Sequence, residues 1–292
     1  MTVPNTNDGS SNPPALKAFL NAGTLRDLPK GSEMAGKSLD QQYEAIRIAG
    51  FLGLQDGETA TCERQNLARC GSGRINHPSD VAPLVEKHLS EGMLATTLHV
   101  GWGSECDSEV DKLVTAIIQA SDHYRYPLYV ETHRATITQD SWRTVQIVKR
   151  YPEIRFNGDF SHWYTGHEMV YGDWEEKLRF IQPVLERVRF IHGRISTPGA
   201  IQAALQSNPN GEYIEHFKEI WRRCFEGFLS TAVSGDYLIF APELLPPCIY
   251  YAPTYLNSQG EPTESSDRWQ DALLLKLIAQ EEFSSVQELL RS

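Results

Sequence analysis

Apolar positions along the chain alternate between two spacings. Compact apolar-rich runs fall at Leu16–Leu20, Phe51–Leu54, Gly73–Asn76, Leu94–Val100, Pro127–Val130, Ile154–Asn157, Val188–Ile191 and Tyr237–Ala241. Several carry no polar alternation, as expected of parallel strands covered on both faces. Between them, apolar residues recur every three or four positions, the spacing of a helix with one buried face. This second pattern predicts helices over 39–49, 61–70, 79–91, 108–118, 140–152, 173–188, 212–232 and 267–290. Ser108 and Asp111 read as a capping box, and Asp140 and Asp173 as N-caps. Pro183 should kink or shorten its helix, because it lacks an N–H and crowds the preceding turn.

Eight strands alternating with eight helices predict a single-domain α/β fold, a (β/α)8 TIM barrel, over residues 15–292. The runner-up is an open doubly wound sheet. Its glycine-rich phosphate turn is missing, since no GxGxxG or GxxxxGK[ST] follows any strand. Residues 1–14 are rich in Pro, Asn, Ser and Thr and read as a disordered N-terminal tail.

Charge narrows the partners. Lys and Arg total 27 against 38 Asp and Glu, a formal net charge of −11. That balance disfavours nucleic acid and anionic lipid, while leaving room for a local basic pocket. No run approaches the ~20 apolar residues of a membrane helix. The five cysteines form no CxxC pair, and the N-terminus lacks a signal-like apolar core, so a cytoplasmic location is expected.

In such barrels the chemistry sits where strands end. Leu94–Val100 carries His99 and leads to Trp102. Pro127–Val130 leads to Glu131 and His133, and Ile154–Asn157 to Asp159 and His162. Val188–Ile191 leads to His192 and Arg194, and Tyr237–Ala241 to Glu243. A buried carboxylate without a partner is costly, and a divalent cation would supply the charge that Glu131 and Glu243 need. Three carboxylates and one imidazole make a mostly hard set that suits Mn²⁺ first, then Mg²⁺ or Co²⁺, with Zn²⁺ compatible. His99 and Trp102 are candidates for the pocket wall, and His133 for a supporting or turn residue. His167, Glu168, Glu281 and Glu282 read as surface positions.

The run Glu131-Thr-His133-Arg134, Gly158-Asp159-Phe-Ser-His162-Trp163, Ile191-His192-Gly-Arg194 and Ala241-Pro242-Glu243 resembles the xylose isomerase-like TIM-barrel superfamily, and within it the sugar phosphate isomerase/epimerase group. The resemblance covers residues 38–250, with separations of 28, 33 and 51 between Glu131, Asp159, His192 and Glu243. It implies these four as ligands of one divalent metal ion, and His162 and Arg194 as contacts to substrate oxygens. The abasic-site endonucleases of the superfamily carry further His and Asp ligands; here Gly-Arg follows His192 instead. The segment Ser196–Gly211 widens the gap before the last strand and is a candidate lid.

The expected activity is that of an isomerase or epimerase in carbohydrate metabolism. It would act on a sugar or polyol-derived carbonyl compound through a metal-stabilised enediolate, with Glu131 and Glu243 as bases. Alternatives are a metal-dependent dehydratase or lyase on a cyclic polyol, a phosphodiester hydrolase of the abasic-site type, and a barrel that only binds ligand. The partner is a small molecule, and a homo-oligomer is left open.

Overall fold

The computed structural model describes residues 1–207 and 211–291. A two-residue strand β1 (Thr6–Asn7) precedes eight parallel strands: β2 (Ala15–Asn21), β3 (Gly53–Gln55), β4 (Ala68–Ile75), β5 (Thr96–Val100), β6 (Leu128–Glu131), β7 (Phe156–Gly158), β8 (Val188–Gly193) and β9 (Asp236–Pro242). Each pairs with the next, and β9 pairs with both β8 and β2, which closes the barrel. The helices between them are α1 (Leu39–Ile48), α2 (Thr59–Arg64), α3 (Val81–Ser90), α4 (Asp107–Tyr124), α5 (Ser141–Arg150), α6 (Ser161–Gly166), α7 (Trp174–Leu185), α8 (Glu212–Leu229) and α9 (Arg268–Arg291). The expected single-domain (β/α)8 barrel is the observed one.

Local chemistry explains most of these elements. Ser38 and Gln41 close a capping box on α1, and the Asp140 and Asp173 carboxylates accept the Arg143 and Glu176 amides at the starts of α5 and α7. The box on α4 lies two residues earlier than expected, between Cys106 and Glu109, so Ser108 is inside the helix. Pro183 shortens α7, which ends at Leu185. The helix expected over 61–70 stops at Arg64: Asn66 turns left-handed (φ 53°), and the chain enters β4. Cys70, spaced as if helical, faces the core from that strand. Besides β1, the elements not foreseen are α6, which follows β7 closely, and a hairpin of β10 (Thr254–Leu256) with β11 (Pro262–Glu264).

The N-terminal segment departs from the expected tail. β1 pairs antiparallel with β9, Val3 and Thr6 are buried, and the Thr6 amide donates to the Tyr129 hydroxyl at 3.0 Å. Asn5 bridges Asp236 (2.7 Å) and the buried Arg189 guanidinium (2.9 Å). Polar composition concealed this because, apart from Val3, the segment attaches by hydrogen bonds.

The described part of the candidate lid is tied down, with Ile201, Ala203 and Leu205 buried and Gln202 hydrogen-bonded to the Leu245 backbone. Residues 208–210 of that segment lie outside the described residues. Among the described residues no helix is long and apolar enough to cross a membrane. All five cysteines are free.

Candidate active site

The barrel's parallel strands all deliver their C-terminal ends to one rim. β6 ends on Glu131, Asp159 follows β7, β8 carries His192 and leads to Arg194, and β9 is followed by Glu243. Gly193, between His192 and Arg194, is sterically required, because a Cβ there would sit 2.5 Å from the Phe240 ring. His192 and Arg194, two positions apart on extended chain, point to the same face and so serve one centre.

That centre is His192. Its Nδ1 lies 3.5 Å from Glu131 Oε2, 3.9 Å from Asp159 Oδ2 and 3.4 Å from Glu243 Oε2. Its other nitrogen, Nε2, sits 2.8 Å from Gln55 Oε1. Gln55 is held by Asn21 (2.9 Å) and Thr97 (2.8 Å), and Asn21 also donates to Glu243 Oε1 at 3.0 Å. An amide oxygen accepts, so Nε2 carries hydrogen and Nδ1 faces the carboxylates. Asn157 Nδ2 spans Glu131 Oε2 (3.0 Å) and His192 Nδ1 (3.1 Å).

Arg194 supplies positive charge beside the carboxylates. Its Nη2 contacts Asp159 Oδ2 and lies 3.1 Å from Glu243 Oε2, while Nε donates to the Ser161 hydroxyl at 3.0 Å. The Asp159 and Arg194 side chains are fully buried. Tyr251 lies against the guanidinium, 4.7 Å from ring centre to Cζ.

The electrostatics follow from burial working against paired charge. Burial pushes the Asp159 carboxyl up, but Arg194 and then His162 outweigh it and hold the group well below the usual carboxylate range. Glu131 ends well below its ordinary value in the same way, through His99 and His192. Burial pulls His192 down, yet Glu243, Glu131 and Asp159 push it up to about 9. Burial, then His162, brings His133 down to about 3.

Three imidazoles form one wall. The His133 ring lies tilted between those of His99, at 4.3 Å and 43°, and His162, at 3.8 Å and 50°, between ring centres and planes. His99 Nε2 lies 3.0 Å from Glu131 Oε1, and His162 Nε2 lies 3.5 Å from Asp159 Oδ2. His162 Nδ1 is buried with no hydrogen-bond partner. The structure thus brings together Glu131, Asp159, His192, Glu243, Arg194, His162 and His99. Trp102 stands apart, 58 % exposed, with the Arg74 guanidinium 3.9 Å over its ring. Sequence reasoning missed Asn21, Gln55 and Tyr251. For the first two a signal existed: each is an amide directly following an apolar run.

The donor set fits a divalent cation. Donors that share one ion at ~2.0–2.2 Å lie roughly 3 to 4 Å from each other. The separations from His192 Nδ1 to the three carboxylates fall in that range. Asp159, His192 and Glu243 in particular offer ligand atoms all within 4.8 Å of one another.

No protein-family model and no curated protein matches the sequence. Solved structures do match. A xylose isomerase-like TIM barrel protein from Mycobacterium smegmatis, determined in complex with magnesium, is 15 % identical over 94 % of this chain and 98 % of its own, with a TM-score of 0.53. The probable 3-DHS dehydratase AsbF of Bacillus anthracis, involved in petrobactin synthesis, is 13 % identical over 78 % of this chain and 92 % of its own, at 0.51. The chain has the fold of the xylose isomerase-like TIM barrels.

Proposed function

We propose that the protein is a divalent-metal-dependent isomerase or epimerase of a sugar or polyol-derived carbonyl compound. The observation that carries this reading is the approach of three carboxylates, from Glu131, Asp159 and Glu243, to the single nitrogen His192 Nδ1. These four residues would hold the ion. When bound, the ion supplies Lewis-acid polarisation of a carbonyl and its neighbouring hydroxyl, which stabilises the enediolate left when a carbon-bound proton departs.

The remaining work belongs to the chain's own groups. Glu131 and Glu243 come from β6 and β9, three strands apart around the rim, and approach His192 from different strands, so their free oxygens would reach a substrate from two directions. One carboxylate takes the proton and the other returns it on the opposite face, which inverts the carbon. A single carboxylate shuttling between adjacent carbons interchanges aldose and ketose. Arg194 and His162 would steady substrate oxygens; both are buried, and the unpartnered His162 Nδ1 has hydrogen-bonding capacity to spare. Gln55 and Asn21 fix the orientation of His192 and Glu243.

The test is exchange of carbon-bound hydrogen in deuterated water, followed by NMR over ketoses, aldoses and inososes with Mg²⁺ or Mn²⁺ present. Wild type should introduce deuterium next to the carbonyl of its substrate, and chelation should stop it. Glu243→Gln should lower the rate ~10²- to 10⁴-fold, the usual worth of a positioned base. Metal-independent exchange, or a phosphodiester cut while no carbonyl compound exchanges, would overturn the reading.

A further inference from the structure

The mouth of the barrel differs in charge from its floor. At the floor three carboxylates face Arg194 and His192. With a divalent cation in place and His192 neutral, the cation and Arg194 balance those carboxylates, and the floor carries no net charge. Above it stand two cations that make no ion pair among the described residues. One is Arg74, at the end of β4, which donates to the Gly101 carbonyl at 2.6 Å and covers Trp102. The other is Arg134, three residues beyond Glu131, exposed, with its Cζ 5.2 Å from the Tyr251 ring centre.

Arg134 is placed by a stiff turn. Thr138 Oγ1 donates to the Glu131 carbonyl and accepts the His133 amide at 3.2 Å, and Thr136 Oγ1 donates to the His133 carbonyl at 2.7 Å. The His133 ring is held against the Arg134 carbonyl, and Ala135 takes a left-handed conformation (φ 54°) that a residue with a Cβ rarely adopts. The same Tyr251 ring that meets Arg134 meets the buried Arg194 at 4.7 Å. The turn fixes the Arg134 backbone, and its guanidinium, which makes no hydrogen bond among the described residues, lies one aromatic ring away from the catalytic floor, in a chain whose net charge is −11.

The geometry points to a substrate that carries an oxyanion, a carboxylate or a phosphate ester, seated on Arg134 at the mouth while its carbonyl end reaches the floor. A planar fork of N–H donors matches such a group bidentately. This rests on the enolising reading for the floor, but its test needs no turnover.

Calorimetric titrations with Mg²⁺ present would compare gluconate, quinate and glucose 6-phosphate with the neutral polyols glucitol and myo-inositol. At least one anion should bind ~10-fold or more tightly than the neutral polyols, the scale of one charge-assisted contact. Whether the acids or the phosphate ester lead identifies the source of the oxyanion. Arg134→Gln, at an exposed position, should abolish the anion's advantage and leave polyol affinity within about twofold. No anion preference in the wild type, no binding of any anion, or equal weakening of anions and polyols by Arg134→Gln would overturn the inference. Failed hydrogen exchange with a retained, Arg134-dependent anion preference would instead count against the reading of the floor alone.

Discussion

Gln55 Oε1 accepts from His192 Nε2 at 2.8 Å, and this contact decides which imidazole nitrogen faces the carboxylates. Gln55→Ala should therefore leave the barrel folded and weaken divalent-metal affinity by ~10- to 100-fold, the range for removing a group that orients a ligand. Calorimetric titration with Mn²⁺ checks it. Unchanged affinity would show that the carboxylates alone orient the ring.

The buried pair of Asp159 with Arg194 gives a second prediction. Removing one partner of a fully buried ion pair typically costs ~3–5 kcal/mol. In Asp159→Asn, Arg194 keeps Glu243 Oε2 at 3.1 Å, so the loss should fall below that range while metal affinity drops. Arg194→Met leaves Asp159 and Glu243 without this cation and should destabilise more. Urea unfolding of both variants without metal orders them, and the reverse order would refute this account.

His88 sets a pH dependence away from the site. Its ring is buried, with Nδ1 2.6 Å from Thr96 Oγ1, and burial lowers its proton affinity. The unfolded chain then binds the proton more readily than the folded one. Stability is full above the unfolded His value of ~6.5 and falls as pH drops below it, by at most ~1.4 kcal/mol per pH unit for one proton. His88→Gln should flatten that part of the profile. Melting temperatures from pH 7.5 to 5 check it; equal slopes in both proteins would remove His88 as the cause.

The N-terminal segment should matter for stability. Asn5→Ala deprives the buried Arg189 of its 2.9 Å acceptor and should cost ~1–3 kcal/mol, the usual penalty for an unsatisfied buried donor. Chemical denaturation measures it. A loss under about 0.5 kcal/mol would mean the segment only covers the barrel end.

Periodicity gave the count of strands and helices, and the missing glycine-rich phosphate turn favoured a barrel over an open sheet. Runs such as Pro127–Val130 and Tyr237–Ala241 have no polar face, so they become strands covered on both sides, and the amphipathic stretches between them have one face to bury. The same logic put Glu131, Asp159, His192 and Glu243 on one rim, because parallel strands all end at the same side. Sequence could not show that His192 Nδ1 is where the three carboxylates meet, since Glu131 and Glu243, 112 positions apart, approach only through the lateral pairing of β6, β7, β8 and β9. Nor could it place Asn21 and Gln55 beside His192, set the His133 ring between those of His99 and His162, or anchor Asn5 and Thr6. Those outcomes depend on hydrogen bonds between distant elements, and a hydrogen bond leaves no periodic trace in the chain.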